Sequence, residues 1–351
     1  MKRYTKESMR DVNKIGVIMF GLLGDVLIRT PVIRALKDIY PGAKIIAIID
    51  PIGAPLLQNN GYVDELIIVQ RNQKNKLEKN LGKIKAVFAI RKQKFDLIVN
   101  LYNGGSSPTM VFLSNARYKL GFCQQKNKYV YNVINECEVD RLTKTQSLYS
   151  YMMSIVEPLS DKRYDLTPVF EPKDEIDEKM KLYLGEFDQD LDNVYVLNLG
   201  ASKVDKLLDM DKYVLLVEYA YSKYGFIPAI ILNPGQEYLQ NDFISKFIQP
   251  KNIPHIKLGP LSLSEIASVI KLTKFISTPD TGVMHLAMAL DAYIYAIFTY
   301  THPVFVELGN EKFISVFEGF DEGKLHQRQD ISLETLKRNI DVLFLTLSKN
   351  D

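Results

Sequence analysis

Short apolar runs alternate with longer amphipathic stretches along the whole chain. In the first half, predicted strands lie at 14–20, 44–50, 65–70 and 95–102, and helical spacing occurs at 31–40 and 75–91. In the second half, predicted strands lie at 193–200, 227–235, 274–280 and 292–298, and predicted helices at 211–224, 236–247, 262–271 and 282–290. Strands that alternate with helices in this way predict parallel sheets covered by helices on both faces.

The segment 157–192 separates the two series of strands. It is rich in prolines and charges, which is typical of an interdomain linker that runs into an acidic helix. We therefore predict an α/β protein with two Rossmann-like, doubly wound domains at 1–172 and 173–330, and a C-terminal helix within 331–351 that can pack back on the first domain. Ligands of such sheets bind beyond the carboxyl ends of the strands, so the two domains are expected to face one cleft.

Composition is that of a soluble globular protein, since 46% of the 351 residues are hydrophobic and 25% are charged. The apolar run at 15–28 follows several basic residues and superficially resembles a signal peptide. Gly21, Gly24 and Asp25 interrupt the run, however, no small-residue cleavage site follows, and the run is too short to span a membrane. These features predict a cytoplasmic protein.

The two cysteines, Cys123 and Cys137, form neither a disulfide framework nor a metal-ligand pattern, and are expected to be buried thiols of a reducing compartment. The four histidines are scattered, so no metal site is expected. The chain has no P-loop, no G-x-G-x-x-G fingerprint and no G-x-S-x-G elbow. P-loop NTPases and dehydrogenases are therefore disfavoured.

Charge is distributed unevenly, because residues 1–160 carry a balance of +11 and residues 161–351 a balance of −9. Such asymmetry indicates different partners for the two halves, with compositional drift as the alternative. Residues 71–94 contain nine Lys and Arg against one acid. At helical spacing the basic positions Lys76, Lys79 and Lys83 share one face, and the predicted core-facing stripe is formed by Leu77, Leu81, Ile84 and Val87. This basic face either binds an anionic acceptor or is only solvated.

The stretch "FGLLGDVLIRTP" at 20–31 places one carboxylate in an apolar run. Asp25 follows a predicted strand and a turn at Gly21 and Gly24. One interpretation is that Asp25 caps a helix, where a negative charge suits the positive end of the helix dipole. The other interpretation is that the turn displays Asp25 at the edge of the sheet for chemistry.

The stretch "STPDTGVMHLAMAL" at 277–290 is the most informative segment of the second half. A strand ends, a turn follows, and a helix begins near Thr281 and Gly282, which predicts an anion site at the helix N-terminus. Asp280 lies in the same turn, and His285, one turn further along the helix, is placed to donate a hydrogen bond to the same anion. An ordinary helix cap followed by a packed histidine is the alternative.

Two further strand-to-helix turns repeat this arrangement. In "NLGASKVDKLLDMDKY", Ser202 offers a hydroxyl and Lys206 a charge suited to phosphate. In "LNPGQEYL", Glu237 is placed to accept hydrogen bonds from ribose hydroxyls. Three turns on one edge of a sheet together predict a site for a nucleotide diphosphate.

These motifs resemble glycosyltransferase family 9, the ADP-heptose:lipopolysaccharide heptosyltransferases of GT-B fold. The resemblance runs over most of the chain. It is carried by the opening Gly-Asp turn, by "FDLIVNLYNGGSSPTMVFLSNARYKLGF", by the Gly-Ala-Ser loop and by the segment that ends in "DTGVMHLAMAL". One departure is that the family's usual Trp after the lysine is Leu208 here, and the chain has no Trp.

The resemblance implies roles for individual residues. Asp25 matches the general base, Ser202 and Lys206 match contacts to the donor pyrophosphate, and Glu237 matches a ribose contact. Leu261 matches a residue that packs against adenine. The donor-binding turn corresponds to Asp280, Thr281 and Gly282, and acceptor contacts are expected from Gly24, Arg71, Lys74, Lys76 and Asn103.

The function implied is inverting, metal-independent transfer of a sugar, most simply heptose from ADP-heptose, without a cofactor. The expected partners are that donor and an anionic glycolipid such as a lipopolysaccharide core, with peripheral contact at the inner face of the cytoplasmic membrane and no nucleic acid. The alternatives are transfer from a different nucleotide sugar or to another acceptor, a related epimerase, and a catalytically silent protein that binds sugar nucleotides.

Overall fold

The computed structural model describes residues 6–71, 75–122, 125, 127–135, 147–172, 174–187, 189–321 and 324–349. Contacts divide the chain into two compact units, Met1–Glu171 and Pro172–Asp351. This division falls one residue from the boundary expected from the sequence. Both cysteines, which were expected to be buried thiols, lie outside the described residues, as does Lys74 of the basic segment.

The first unit contains a six-stranded parallel sheet. Its strands are β1 (Lys14–Ile18), β2 (Lys44–Ile49), β3 (Glu65–Ile68), β4 (Leu97–Asn100), β5 (Tyr118–Phe122) and β6 (Val133–Asn135). They are ordered β3-β2-β1-β4-β5-β6. The helices are α1 (Leu23–Ile39), α2 (Ala54–Leu57), α3 (Lys76–Gln93), α4 (Ser107–Leu113) and α5 (Leu148–Met153). The central strands are buried on both faces, which explains their almost continuous apolar sequences.

Helix α1 begins at Leu23, eight residues before the stretch with helical spacing, and contains Pro31 in its interior. A proline cannot donate the hydrogen bond that the carbonyl of Leu27 would otherwise accept. The Thr30 hydroxyl donates to that carbonyl instead, at 2.7 Å. The helix therefore continues through the proline, and Asp25 lies in its first turn rather than in a loop.

The predicted core-facing stripe of α3 is wrong at Leu81 and Ile84, which are exposed, whereas Val87 is half-buried and packs against the core. The side chain of Leu77 lies outside what the structure describes. Among the described side chains of this helix, the buried ones are Ala86 and Ile90. Gly82 fixes the orientation, since a Cβ at this position would lie 2.7 Å from the carbonyl oxygen of Gln70. The glycine allows the helix to approach the end of β3 closely, and this turns Leu81 and Ile84 outward.

The second unit contains another six-stranded parallel sheet. Its strands are β7 (Val194–Leu197), β8 (Ile227–Ile230), β9 (Ile256–Lys257), β10 (Ile276–Pro279), β11 (Ile294–Ile297) and β12 (Phe313–Val316), in the order β12-β11-β10-β7-β8-β9. The helices are α6 (Asp174–Gly185), α7 (Met210–Tyr224), α8 (Glu237–Phe243), α9 (Leu263–Leu272), α10 (Gly282–Ala289) and α11 (Leu333–Ser348). A π-helical turn, Ile244–Ile248, continues α8.

Both sheets have the strand order 3-2-1-4-5-6 that is known from dinucleotide-binding domains. The direction of the strand order reverses between β1 and β4 in the first unit and between β7 and β10 in the second. The predicted α/β class with doubly wound parallel sheets is confirmed. Ligands of such sheets bind at the reversal, beyond the carboxyl ends of the strands.

Helix α11, which the sequence left able to pack back on the first domain, packs against elements of the second unit. It lies against α7, β11 and β12. The Tyr295 hydroxyl donates to the carbonyl of Leu336 at 2.7 Å, and the Phe344 ring stacks on Tyr224 with centroids 4.1 Å apart. The apolar side of α11 therefore completes the core of the second sheet.

Candidate active site

Asp25 occupies the third position of α1, just beyond the carboxyl end of β1. Its carboxylate accepts a hydrogen bond from the backbone N–H of Leu22 at 3.0 Å. This contact satisfies one of the free donors at the helix N-terminus. The Asp25 side chain is nevertheless exposed. Asp25 therefore both caps the helix and is displayed at the edge of the sheet, so the two interpretations of the sequence are compatible.

Gly21 makes room for this carboxylate. Its φ of +144° is one that residues with a side chain rarely adopt, and a Cβ would lie 2.6 Å from the Cβ of Asp25. The N–H of Gly21 donates to Asp50 at 3.0 Å. The turn between β1 and α1 is thus fixed from both sides.

We expect the substitution Gly21→Ala to lower kcat at least tenfold, because the new methyl group displaces the Asp25 side chain and strains the turn. Initial rates at saturating donor and acceptor would measure this effect. Gly42→Ala is the matched control, since nothing lies within 4 Å of a Cβ at that position. Equal rates for both variants would show that the position of Asp25 is unimportant.

Asp25 borders a pocket of about 400 Å³ in the first unit. The pocket is lined by side chains and turns that follow four adjacent strands, namely Gly21, Leu22, Asp25, Asp50, Pro51, Ile52, Gln70, Arg71 and Tyr102. This is the edge at which a doubly wound sheet binds its ligand. The pocket can therefore accept a small polar group beside the Asp25 carboxylate.

The floor of this pocket is an ion pair between Asp50 and Arg71. Two guanidinium nitrogens of Arg71 donate to the two oxygens of Asp50, at 2.7 and 2.6 Å. The guanidinium carbon also lies 4.0 Å from the ring centre of Phe20 and 4.8 Å from that of Tyr102. Burial lowers the pKa of Arg71, but its hydrogen bonds to Asp50 and Tyr102 outweigh burial and raise the pKa overall. Arg71 is thus a fixed cation rather than part of a solvated face.

Arg29 is a second cation close to this site. It is buried, and one of its nitrogens donates to the carbonyl of Phe20. Burial lowers the pKa of Arg29, while the charge of Asp25 acts in the opposite direction. Sequence reasoning did not single out Arg29, Asp50 or Tyr102. Asp50 could have been found from the sequence, because it directly follows a buried strand, as Asp280 does.

The other expected acceptor residues are spread around the pocket. Gly24 is the second residue of α1, and Asn103 is exposed in the loop after β4. Lys76 begins α3. Of the four expected residues that the structure describes, Arg71 alone lines the pocket itself.

In the second unit, the turn after β10 is held by an ion pair between Lys206 and Asp280. The ammonium nitrogen of Lys206 lies 2.5 Å from a carboxylate oxygen of Asp280 and 3.2 Å from the Asp280 carbonyl. Both side chains are largely buried, with 20% and 9% of their surfaces exposed. The pair joins the loop after β7 to the N-terminus of α10, so two of the three predicted turns meet.

Helix α10 begins at Gly282, with Thr281 as its N-cap. The Thr281 hydroxyl does not cap the helix and lies 3.3 Å from both Asn198 Nδ2 and Thr278 Oγ1. The first backbone N–H groups of α10 are therefore available to an anion, which the helix dipole favours. His285 is buried in the second turn of the same helix.

Asn198 joins the three turns, and sequence reasoning missed it. Its amide nitrogen donates to Thr278 at 3.0 Å, and its amide oxygen accepts from Gly200 N–H at 3.0 Å and from Asn233 at 2.9 Å. Asn233 belongs to the turn after β8. The Asn198 side chain is fully buried, so this network fixes the turns after β7, β8 and β10 relative to one another.

The remaining residues that were expected to contact the donor follow strands of the same sheet. Ser202 is exposed in the loop after β7, and Leu261 is half-buried one residue before the N-cap of α9. Glu237 begins α8 and accepts the N–H of Gly235 at 2.8 Å, and this hydrogen bond lowers the pKa of its carboxyl group. Leu208, at the position of the family's Trp, is buried in the core. Among the described residues, no cluster of three His, Cys, Asp or Glu side chains could hold a metal ion.

Solved structures with similar folds include a glycosyl transferase of family 9 from Veillonella parvula, with a TM-score of 0.80 and 18% identity over 97% of this chain and 99% of that one. Another is the ADP-heptose lps heptosyltransferase II of E. coli, with a TM-score of 0.76 and 18% identity over 96% of this chain and 100% of that one. Among curated proteins, lipopolysaccharide heptosyltransferase 3 of Escherichia coli is 23% identical over 303 residues, which cover 84% of this chain and 86% of the relative.

The fold is thus the GT-B type of these heptosyltransferases. The family model "Glycosyltransferase family 9 (heptosyltransferase)" matches residues 84–335, which include every candidate donor residue. The chain therefore belongs to glycosyltransferase family 9 and is a glycosyltransferase.

Proposed function

We propose that this enzyme transfers heptose from ADP-heptose to a lipopolysaccharide core or a related cell-surface glycan, with inversion at the anomeric carbon. The observation that carries the proposal is the joined set of turns around Asn198, Lys206 and the start of α10. Two of the similar proteins are named as heptosyltransferases, and one of these is named for ADP-heptose. We assign the reaction to the cytoplasm, at the inner face of the membrane.

The second unit binds the donor in this proposal. The diphosphate lies at the N-terminus of α10, where the backbone N–H groups and the Lys206 ammonium stabilise its negative charge. Ser202 donates a hydrogen bond to the same group, Glu237 accepts from the ribose, and Leu261 packs against the adenine. His285, in the second turn of α10, is assigned to the same anion.

Asp25 is the general base in the proposed reaction. As the acceptor hydroxyl attacks the anomeric carbon, its proton passes to the Asp25 carboxylate. The new bond joins the acceptor oxygen to the anomeric carbon, and the bond from that carbon to the diphosphate oxygen breaks. ADP leaves with the electron pair. A single displacement of this kind inverts the anomeric centre.

The acceptor is assigned to the first unit. The pocket beside Asp25 has a volume of about 400 Å³, and its lining includes Arg71 and Asp50. Gly24, Lys74, Lys76 and Asn103 remain proposed acceptor contacts. An anionic glycan suits the positive balance of the first 160 residues, which reaches +11.

A thermal-shift panel of nucleotide sugars tests the donor assignment. Because a ligand that binds only the folded state stabilises it by mass action, ADP-heptose should raise Tm more than UDP-, GDP- or ADP-glucose at equal concentration. A larger shift with another nucleotide sugar would favour a family member with a different donor. Stabilisation without turnover in the presence of acceptor would favour a catalytically silent binding protein.

Transfer is expected to continue unchanged in excess EDTA, because the Lys206 ammonium and the start of α10 neutralise the leaving diphosphate. The rate of ADP release with donor and acceptor present, with and without EDTA, measures this. Loss of transfer in EDTA that is restored by Mg²⁺ or Mn²⁺ would contradict metal-independent transfer.

A further inference from the structure

Helix α3 displays a continuous apolar stripe on the surface of the first unit. Leu81, Ile84 and Phe88 are 56%, 52% and 70% exposed. Their spacing places them on one face of the helix. Large apolar side chains grouped in this way are uncommon on a soluble surface and indicate a site of interaction.

The orientation of this stripe is determined by packing on the opposite side of the helix. Gly82 approaches the carbonyl of Gln70, and Ala86 and Ile90 lie in the core that covers the sheet. A rotation that buried the stripe would remove Ala86 and Ile90 from that core and drive other side chains into the end of β3. The exposure of the stripe is therefore determined by the packing of the fold.

Cations surround the stripe. Lys85, Arg91 and Lys92 are exposed on α3, and the sequence from 79 to 94 contains no acid. None of these three residues is in an ion pair with another described residue. The charge of this surface is therefore available to an anionic partner.

The neighbouring helix α4, which packs against α3, also exposes an apolar side chain. Phe112 of α4 is 56% exposed, and the ammonium of Lys119 lies 5.9 Å from the centre of its ring. The combination of exposed apolar groups and adjacent cations thus occurs on both helices.

We propose that α3 and Phe112 dock the enzyme on an anionic lipid surface. Leu81, Ile84 and Phe88 enter the boundary between headgroups and acyl chains, and the neighbouring cations contact lipid phosphates. Protein interfaces are depleted of lysine relative to other surfaces, so a cationic surround without acids favours lipid over a protein partner. No helix among the described residues is long and apolar enough to cross a membrane, so docking is at the interface.

The inference rests on the proposed function in one respect: an acceptor anchored in lipid is the reason why this enzyme would bind a membrane. Lipid docking itself requires neither donor nor acceptor. It can therefore be measured separately from sugar transfer, and the failure of one leaves the other intact.

Sedimentation with vesicles tests the inference. Wild-type enzyme should bind vesicles of phosphatidylcholine with one quarter phosphatidylglycerol, and bind pure phosphatidylcholine vesicles at least tenfold more weakly. Binding should also fall at high salt, because exposed charges are screened over about 8–10 Å at 0.1–0.15 M salt. The variants L81S/I84S/F88S and K85E/R91E/K92E should each bind the anionic vesicles at least tenfold more weakly than wild type.

The control variant L182S/L345S removes two exposed leucines of the second unit, which are 75% and 61% exposed, and should bind vesicles as wild type does. All variants should keep the wild-type Tm within a few degrees, and L81S/I84S/F88S should keep wild-type turnover with a short, lipid-free acceptor. The inference would be overturned if both triple variants bound vesicles as tightly as the wild type. It would also be overturned if the wild-type enzyme did not bind anionic vesicles. Self-association of the wild type that L81S/I84S/F88S abolishes, without an effect on vesicle binding, would assign the surface to a second copy.

Discussion

The substitution Asp25→Asn is expected to lower kcat by on the order of a hundredfold or more, the usual scale for loss of a general base. An amide cannot take the proton of the acceptor hydroxyl at neutral pH. The amide oxygen of the new side chain still accepts the N–H of Leu22, so the start of α1 is preserved. ADP affinity should be unchanged, because the donor residues belong to the second unit. Steady-state kinetics and calorimetric titration with ADP measure the two quantities.

Asp38→Asn is the matched control for this variant. Asp38 lies on the same helix and pairs with Lys162 on the surface, at 2.7 Å. Its loss should leave kcat within about twofold of wild type, since exposed ion pairs contribute little to stability. A kcat for Asp25→Asn similar to that of the control would exclude Asp25 as the base. A large fall in ADP affinity would instead assign it to the donor site.

The second large effect is expected at the ion pair in the donor site. Lys206→Ala should weaken ADP binding at least tenfold, because it removes the charge beside the diphosphate and leaves the Asp280 carboxylate buried without its partner. Asp280→Ala should also weaken binding, because the turn before α10 loses the contact that fixes it. Titration calorimetry with ADP would give both affinities.

Lys203→Ala is the control for the loss of a charge on the same loop. Lys203 is exposed, and its ammonium lies 5.7 Å from the ring centre of Tyr300. Its removal should change ADP affinity by less than about threefold. Equal losses for Lys203→Ala and Lys206→Ala would mean that only the general positive charge of the loop matters. Wild-type affinity in Lys206→Ala would remove the lysine from the donor site.

Much of the fold could be predicted because the central strands are buried on both faces and appear as apolar runs. Edge strands carry less signal: β9 has two residues, and β12 is only half-buried over most of its length. The helical spacing at 31–40 shows only the second half of α1, because the helix starts near Asp25, the position that the capping interpretation proposed, and continues through Pro31. The exposed face of α3 was assigned to the core because periodicity alone does not show which side approaches the sheet.

The residues of the candidate site likewise divide into those that the sequence pattern shows and those that it does not show. Asp25 and Asp280 could be found because each follows a strand and lies at a helix start. Asn198 and the pair of Asp50 with Arg71 could not, since their partners are distant in sequence and only the strand order brings them together. The sequence pattern therefore indicates where ligands bind, while the networks that fix the turns depend on tertiary structure.

The most direct test of the central claim is an NMR analysis of the product formed from ADP-heptose and a lipopolysaccharide-core oligosaccharide by the wild-type enzyme and Asp25→Asn. We expect a new heptosyl linkage with the anomeric configuration inverted relative to the donor, formed with one equivalent of ADP and almost absent with Asp25→Asn. A product with retained configuration, or ADP release without a glycosidic product, would contradict the central claim.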